Sequence, residues 1–296
     1  MTSLSIKQKV QQYVVLTGMA LFIGLLVGAI DMIFGQGLLL IGDFRSQHWP
    51  LILFLAIAGL VIVYLYKRFG GKASKGMGLI FDVGHAREEK IPFVLVPLIM
   101  LTTWMSHLFG GSVGREGVAV QIGATLSHRF ARHIKIPDAS RIFLMTGMAA
   151  GFAGLFQTPL AATFFALEVL TVGELQLMAL YPALIASIVA SFTSHALGLE
   201  KFAVPLRETL SWTPETLIKV AFLGLAFGLA GKLFAVSLSW LKKTVAQVLP
   251  NPYTRIALIG AGLSLVLLTL QLTKVGTYSG LGTNLIDVAF HQGSAQ

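Results

Sequence analysis

"GGSVGREGVAVQIGA", residues 110–124, sets a charged pair, Arg115 and Glu116, between Gly114 and Gly117 in a stretch flanked by apolar sequence. A Gly-rich turn that runs into a helix start leaves backbone N–H groups without intrahelical partners. With the positive end of the helix dipole, those groups make an anion site. Glu116 falls at the start of that helix, so its carboxylate either fills the site or yields it to an anion. A carboxylate that mimics the anion and leaves on protonation is a gate. The competing reading is structural: Glu116 caps the helix and pairs with Arg115. Spacing alone does not separate the two. An ionisable residue at membrane depth favours function.

The membrane setting follows from composition. The 296 residues are 55% hydrophobic and 12% charged, and mean hydropathy is +0.78. Soluble domains carry about 25% charged residues. The net charge of +9 is not read as nucleic-acid binding, because the basic residues cluster beside apolar runs, where membrane proteins keep them. There are no cysteines, which excludes disulfides and thiolate metal sites. The N-terminus has no short apolar region with a cleavage site, so the run from Tyr13 is expected to stay in the membrane.

Apolar segments fall near 13–34, 51–66, 91–109, 141–170, 174–198, 215–241 and 253–273. A span needs about 20 residues. Two pieces, 76–83 and 117–131, are too short or too mixed and read as half-helices, tolerated only where protein buries them or they line a polar cavity. The 141–170 segment breaks at "GLFQTPLAA", where Pro159 ends or kinks a helix and Gln157 and Thr158 are candidate caps. Segment 215–241 continues amphipathically to Lys243 and reads as long and tilted. The fold class is therefore all-α: a single polytopic membrane domain over 1–296, with no soluble domain. Lys7 and Lys9 precede the first span, and Lys67, Arg68, Lys72 and Lys75 follow the second. A two-span hairpin puts both clusters on the cytoplasmic side.

Two further stretches carry chemistry. In "SKGMGLIFD", residues 74–82, Gly76 and Gly78 flank Met77 at the start of a short helix. It is either a second helix N-terminus aimed at the same site or an ordinary cytoplasmic loop. In "GMAAGFAGLFQTPLAATFFALEVL", residues 147–170, Ala149, Ala150, Gly151, Ala153 and Gly154 permit close helix packing. Glu168, near its end, reads as an interfacial helix-end residue, and His107 as a packed or hydrogen-bonded side chain rather than a ligand. No metal-ligand spacing, P-loop ending or catalytic constellation is present, so an enzyme reading has no support and neither metal nor cofactor is expected.

Together these residues resemble the CLC family of anion channels and anion/proton antiporters. "GREGVAVQIGA" is similar to the family's Gly-Lys/Arg-Glu-Gly-Pro motif and the helix after it, and "GMAAGFAGLFQTPLAATFFALEVL" to the next helix pair with its Pro break. The match runs over most of 13–198. It implies inverted-topology repeats whose broken helices meet at an anion path near the midplane. By that resemblance Glu116 is the gating, proton-transferring glutamate. Gly76, Met77, Gly78, Gly114, Arg115, Gly117 and Val118 line the anion site. The helix after Glu116 runs outward, placing the basic loop at 128–141 outside.

Three departures from the chloride-type pattern matter. "KGMGL" stands where those members have Gly-Ser-Gly-x-Pro, Val118 stands for Pro, and Val169 follows Glu168 where many have a second Glu. Met77 resembles the fluoride/proton antiporter branch and removes a hydroxyl that helps hold chloride. Val169 removes the family's internal proton relay, so Glu168 is not assigned to protons. Residues 13–198 correspond to a first repeat and 215–296 to the start of a second that is incomplete, with its Gly-rich Pro motif and later Tyr-bearing helix lacking a counterpart. The 296-residue chain alone is accordingly expected to be transport-dead or poorly folded.

The function implied is export of fluoride coupled to proton import across a bacterial plasma membrane. Fluoride leaving and a proton entering each gain about 2.3 kcal/mol per 100 mV of negative-inside potential. The alternatives are a chloride-selective antiporter or channel, and a non-transporting fragment or membrane scaffold. The partners expected are fluoride or chloride, a proton, membrane lipid and a second copy of the chain as a homodimer.

Overall fold

The computed structural model describes residues 5–171, 173–201, 203, 211–272, 279–282, 285–286 and 289. Its helices are α1 (Ile6–Gln47), α2 (Leu55–Leu65), α3 (Met77–Gly84), α4 (Leu95–Leu108), α5 (Glu116–Ala131), α6 (Ala139–Phe156), α7 (Pro159–Glu168), α8 (Leu180–Ala196), α9 (Pro214–Val248) and α10 (Pro252–Leu272). Among the described residues there is no strand. Among the described residues six stretches are long and apolar enough to cross a membrane: Ile6–Gln47, Trp49–Gly84, Ala139–Phe156, Leu177–Ala196, Pro214–Val248 and Pro252–Leu272. The two expected half-helices are α3, with 8 residues, and α5, with 16. At 1.5 Å per residue, α5 reaches only about 24 Å.

The break in 141–170 is present, with a different chemistry. Gln157 closes α6 in the left-handed region, φ 53°, and Pro159 opens α7. Neither expected cap forms. Gln157 Nε2 donates to the Leu199 carbonyl at 2.5 Å, and Thr158 Oγ1 is buried without a hydrogen-bond partner. The backbone makes this turn, which leaves the Gln157 side chain to tie down the end of α8 instead.

Helix α6 is the centre of the core. Phe143, Leu144, Met145 and Met148 are all fully buried. Its tightest neighbour is α5, antiparallel to it. A methyl on Gly147 would strike the Gly123 carbonyl, and one on Gly151 the Ala119 carbonyl. Ser127 Oγ donates to the Phe143 carbonyl. The register 119 to 151, 123 to 147 and 127 to 143 therefore brings the two backbones together in steps of four, the small-xxx-small seam of membrane helices. Helix α8 runs parallel to α1. Gly24 rests on Ala186 and Val189, Gly28 on Ala190 and Thr193, and Gln36 Nε2 donates to the Gly198 carbonyl at 3.0 Å.

These directions overturn one expectation. A cleft is lined by Gln8, Gln11 and Gln12 of the first turns of α1 and by the segment His133 to Pro137. The loop between α5 and α6 thus lies on the side of Lys7 and Lys9, not opposite to it. The reason is the antiparallel register: α5 starts at about the depth of Gly154, one turn beyond its contact with Gly151, and ends beside the start of α6. The other basic segments join the same side. His128 Nε2 lies 3.1 Å from the Glu89 carbonyl oxygen, and Glu88 bridges Lys72 and Lys75 at 2.6 and 3.2 Å. Hydrogen bonds from Lys72 and then Lys75 hold the Glu88 carboxyl below its ordinary range. With these basic segments on one face, the positive-inside tendency points that face to the cytoplasm.

Candidate functional site

The site is built where α5 begins. The first intrahelical bond there is Ala119 N–H to the Arg115 carbonyl, 3.1 Å, so the amides of Glu116, Gly117 and Val118 precede it and lie in the positive end of the helix dipole. The Glu116 side chain is exposed and folds back over the preceding turn: a methyl on Gly114 would lie 2.9 Å from Glu116 Oε2. The alternative pairing of Glu116 with Arg115 does not form. The Arg115 guanidinium carbon stands 5.1 Å from the centre of the Phe156 ring instead, a cation–π contact. No side chain caps α5 at its Arg115 position, and among the described residues no hydrogen bond or ion pair engages the Glu116 carboxylate.

The start of α3 meets this turn. Gly76 adopts φ 55°, ψ −130°, a backbone that favours glycine, and delivers Met77 as the first helical residue. Met77 Cγ lies 3.7 Å from where a methyl on Gly117 would stand. The first bond in α3 is Leu79 N–H to the Gly76 carbonyl, 3.0 Å, which leaves the Met77 and Gly78 amides before it. Two helix starts more than a span apart in sequence therefore share one place, and each contributes about half an elementary positive charge.

The expected residues divide. Gly76, Met77, Gly114, Glu116 and Gly117 converge. Gly78 is exposed, and a methyl there would meet nothing within 4 Å. Val118 is buried in the core, and Arg115 turns aside to Phe156. His107 is buried, with Nε2 unpartnered. Glu168 is exposed in the last turn of α7.

Sequence reasoning passed over Gln121. Its Nε2 donates to the Gly117 carbonyl at 2.8 Å, and its Oε1 lies 3.5 Å from where a methyl on Gly76 would stand. Gln121 Oε1 is buried and has no hydrogen-bond partner. This one side chain braces the first turn of α5 against the start of α3. The available signal was its spacing, four residues after Gly117 on the same helix face.

Comparison with known proteins bears on this arrangement. A family model described as voltage gated chloride channel matches residues 58–295. The chain is 32% identical over 274 residues to a chloride/fluoride channel protein of Pseudomonas syringae pv. tomato, covering 90% of this chain and 60% of that protein. It is 30% identical over 162 residues to the voltage-gated ClC-type chloride channel ClcB of Salmonella typhimurium, covering 54% of this chain and 35% of that one. It thus spans well under two thirds of the length of these curated relatives. Among solved structures, a CLC-type fluoride/proton antiporter superposes with a TM-score of 0.90 at 44% identity, over 98% of this chain and 72% of that one. A slow cyanobacterial chloride/proton antiporter shares the fold at 22% identity, with a TM-score of 0.75 over 94% of this chain and 68% of that one.

Proposed function

The chain belongs to the voltage-gated chloride channel (CLC) family, and from that premise we propose that it carries the gate and one wall of a fluoride path coupled to protons. It is an integral, multi-pass membrane protein, and its bacterial relatives put it in a bacterial plasma membrane. The observation that carries the reading is the approach of Met77 to Gly117, which brings the starts of α3 and α5 together beside Glu116. In this reading the amides of α3 and α5 hold the anion. Glu116 competes with it while ionised, and when protonated it yields the amides to the anion and stays beside it as a neutral O–H donor. Residues 13–198 act as a first repeat and 215–296 begin a second.

Fluoride is favoured over chloride by the residue at 77. A serine hydroxyl there would add a donor suited to a larger anion, and methionine removes it. Fluoride, smaller and more strongly hydrated, needs a strong donor, and a protonated Glu116 supplies one. That donor ties fluoride occupancy to proton uptake on Glu116, and a negative-inside potential then favours fluoride leaving as a proton enters. The 44%-identical fluoride/proton antiporter and the chloride/fluoride channel relative support this choice.

The test is fluoride and chloride efflux from liposomes carrying the protein, read by ion-selective electrodes with internal pH. Fluoride leaving with proton entry, well ahead of chloride, supports the proposal. Equal or faster chloride efflux transfers the function to chloride. A second reading is favoured by α9, an apolar helix with no buried residue: the chain binds the anion but moves none on its own. Fluoride binding without flux would select it. Met77→Ser is expected to lower the fluoride-to-chloride preference in the same assay, or in binding. An unchanged preference would remove Met77 from the site.

A further inference from the structure

Asp31 is a charged residue type in the middle of α1, and its side chain is fully buried. Both carboxylate oxygens lack a hydrogen-bond partner. The residue lies on the buried face of α1 that carries Gly24, Gly28 and Gly35 among apolar side chains. Gly28 packs on Ala190 and Thr193 of α8, and Gly35 packs on Leu155 of α6 and on Leu199. The carboxylate occupies the room left by Gly154, where a methyl would collide with Oδ2. A seam of this kind calls for small apolar residues. An isolated ionised carboxylate is strongly disfavoured at this depth, and such a group neutralises instead. No neighbouring donor offsets that cost.

Depth relates Asp31 to the gate. Along α6, Gly154 is one turn beyond Gly151, which touches Ala119 of α5. Glu116 is one turn before Ala119. Because α5 and α6 are antiparallel, Asp31 and Glu116 stand at about the same depth, within a turn of 5.4 Å. The ionisable side chains on the elements around α1 make no bond to Asp31. These are His107 of α4, Glu116, His128 and Arg129 of α5, Arg141 at the start of α6, and Tyr181 and His195 of α8. Among the described residues Asp31 is the one buried acidic side chain. At position 169, meanwhile, valine offers no proton acceptor.

We infer that Asp31 is an intramembrane proton-binding site, which holds a proton on one carboxylate oxygen and exchanges it with the path that serves Glu116. A proton is the ligand the surroundings allow. A metal cation would need several further oxygen ligands, and Gly154, Gly28 and their neighbours offer none. Uptake forms one O–H bond on Oδ1 or Oδ2 as an O–H bond of a hydronium breaks and leaves water. Release is the reverse, and water carries the proton between Asp31 and Glu116. This site rests on the proton-coupled reading above, but its test does not require flux.

The test is infrared spectroscopy of the chain in lipid at neutral pH. A carbonyl-stretch band of a protonated carboxylic acid is expected, shifting when the sample is moved to deuterated water. The band should be lost in Asp31→Asn and kept in Glu116→Gln. Asp31→Glu should move its frequency, which assigns the band even where Asp31→Asn folds poorly. Absence of the band means an ionised carboxylate and overturns the site. A band that never shifts in deuterated water marks a sealed structural acid and overturns it equally. Where the protein moves fluoride, Asp31→Asn should lose most of the accompanying proton flux and keep fluoride movement. Loss of proton flux in Glu116→Gln with the Asp31 band unmoved would bear on the gate alone.

Discussion

Glu116→Gln is expected to end proton movement driven by a fluoride gradient, leaving at most a passive anion leak. The change keeps the size of the side chain and its place as the first residue of α5, so the fold should be unaffected. What it removes is the capacity to alternate between an anion and a neutral donor. The carboxylate folds back over Gly114, next to amides that precede the first bond of α5. Its negative charge is therefore drawn to the same dipole end that would hold fluoride. Arg115 does not neutralise it through an ion pair, since that guanidinium is engaged with Phe156. An amide carries no charge to compete with the anion and takes up no proton. Internal-pH dye in fluoride-loaded liposomes reads the outcome. Proton entry at the parental rate in the variant would remove Glu116 from the proton path.

The second large effect is structural. Gly147→Ala is expected to destabilise the chain by about 3 kcal/mol or more, the upper end of the usual cost of overpacking. The added methyl would overlap the Gly123 carbonyl and the Ser127 side chain. Neither can yield without parting α5 from α6. Helix α6 buries Phe143, Leu144, Met145 and Met148 completely, and α5 carries Glu116 at its far end. Separation therefore disturbs the site along with the fold. Gly224→Ala in α9 is the control, because no atom lies within 4 Å of its new methyl. Thermal unfolding in detergent should show an early transition for the first variant and none for the second. Equal melting of Gly147→Ala and the parent would contradict the register described for α5 and α6.

Much of the secondary structure was legible because the bilayer imposes a length. The apolar runs at 51–66, 91–109, 215–241 and 253–273 each fall on helix, and 76–83 and 117–131 are the short helices α3 and α5. The interruption at residues 157–158 was readable from Pro159. Its capping was not, because a left-handed backbone at Gln157 leaves no local trace in composition. The side of the α5–α6 loop was misjudged. Half-helices defeat counting of crossings, so neither span number nor charge alone places that loop. The register of Gly123 with Gly147, a packing fact, decides it.

The site was legible in its parts and not in its assembly. Glycines around Glu116 and around Met77 each indicated a helix start, but whether the two met depends on Gly117 lying against Met77. That contact joins residues 40 apart in sequence and follows from tertiary packing. Gln121 was hidden because a glutamine on a buried helix face has no distinctive pattern. Asp31 was hidden inside an apolar run, where one carboxylate reads as noise until its lack of partners is seen.

The central claim, one fluoride site at the starts of α3 and α5 linked to a proton on Glu116, is tested most directly by calorimetry. Fluoride is titrated into the chain in lipid nanodiscs, in two buffers with different heats of ionisation. The account predicts that the apparent binding enthalpy differs between buffers for the parent, because fluoride brings a proton with it, and coincides for Glu116→Gln. Parental enthalpies that coincide, or no fluoride binding at all, would contradict it.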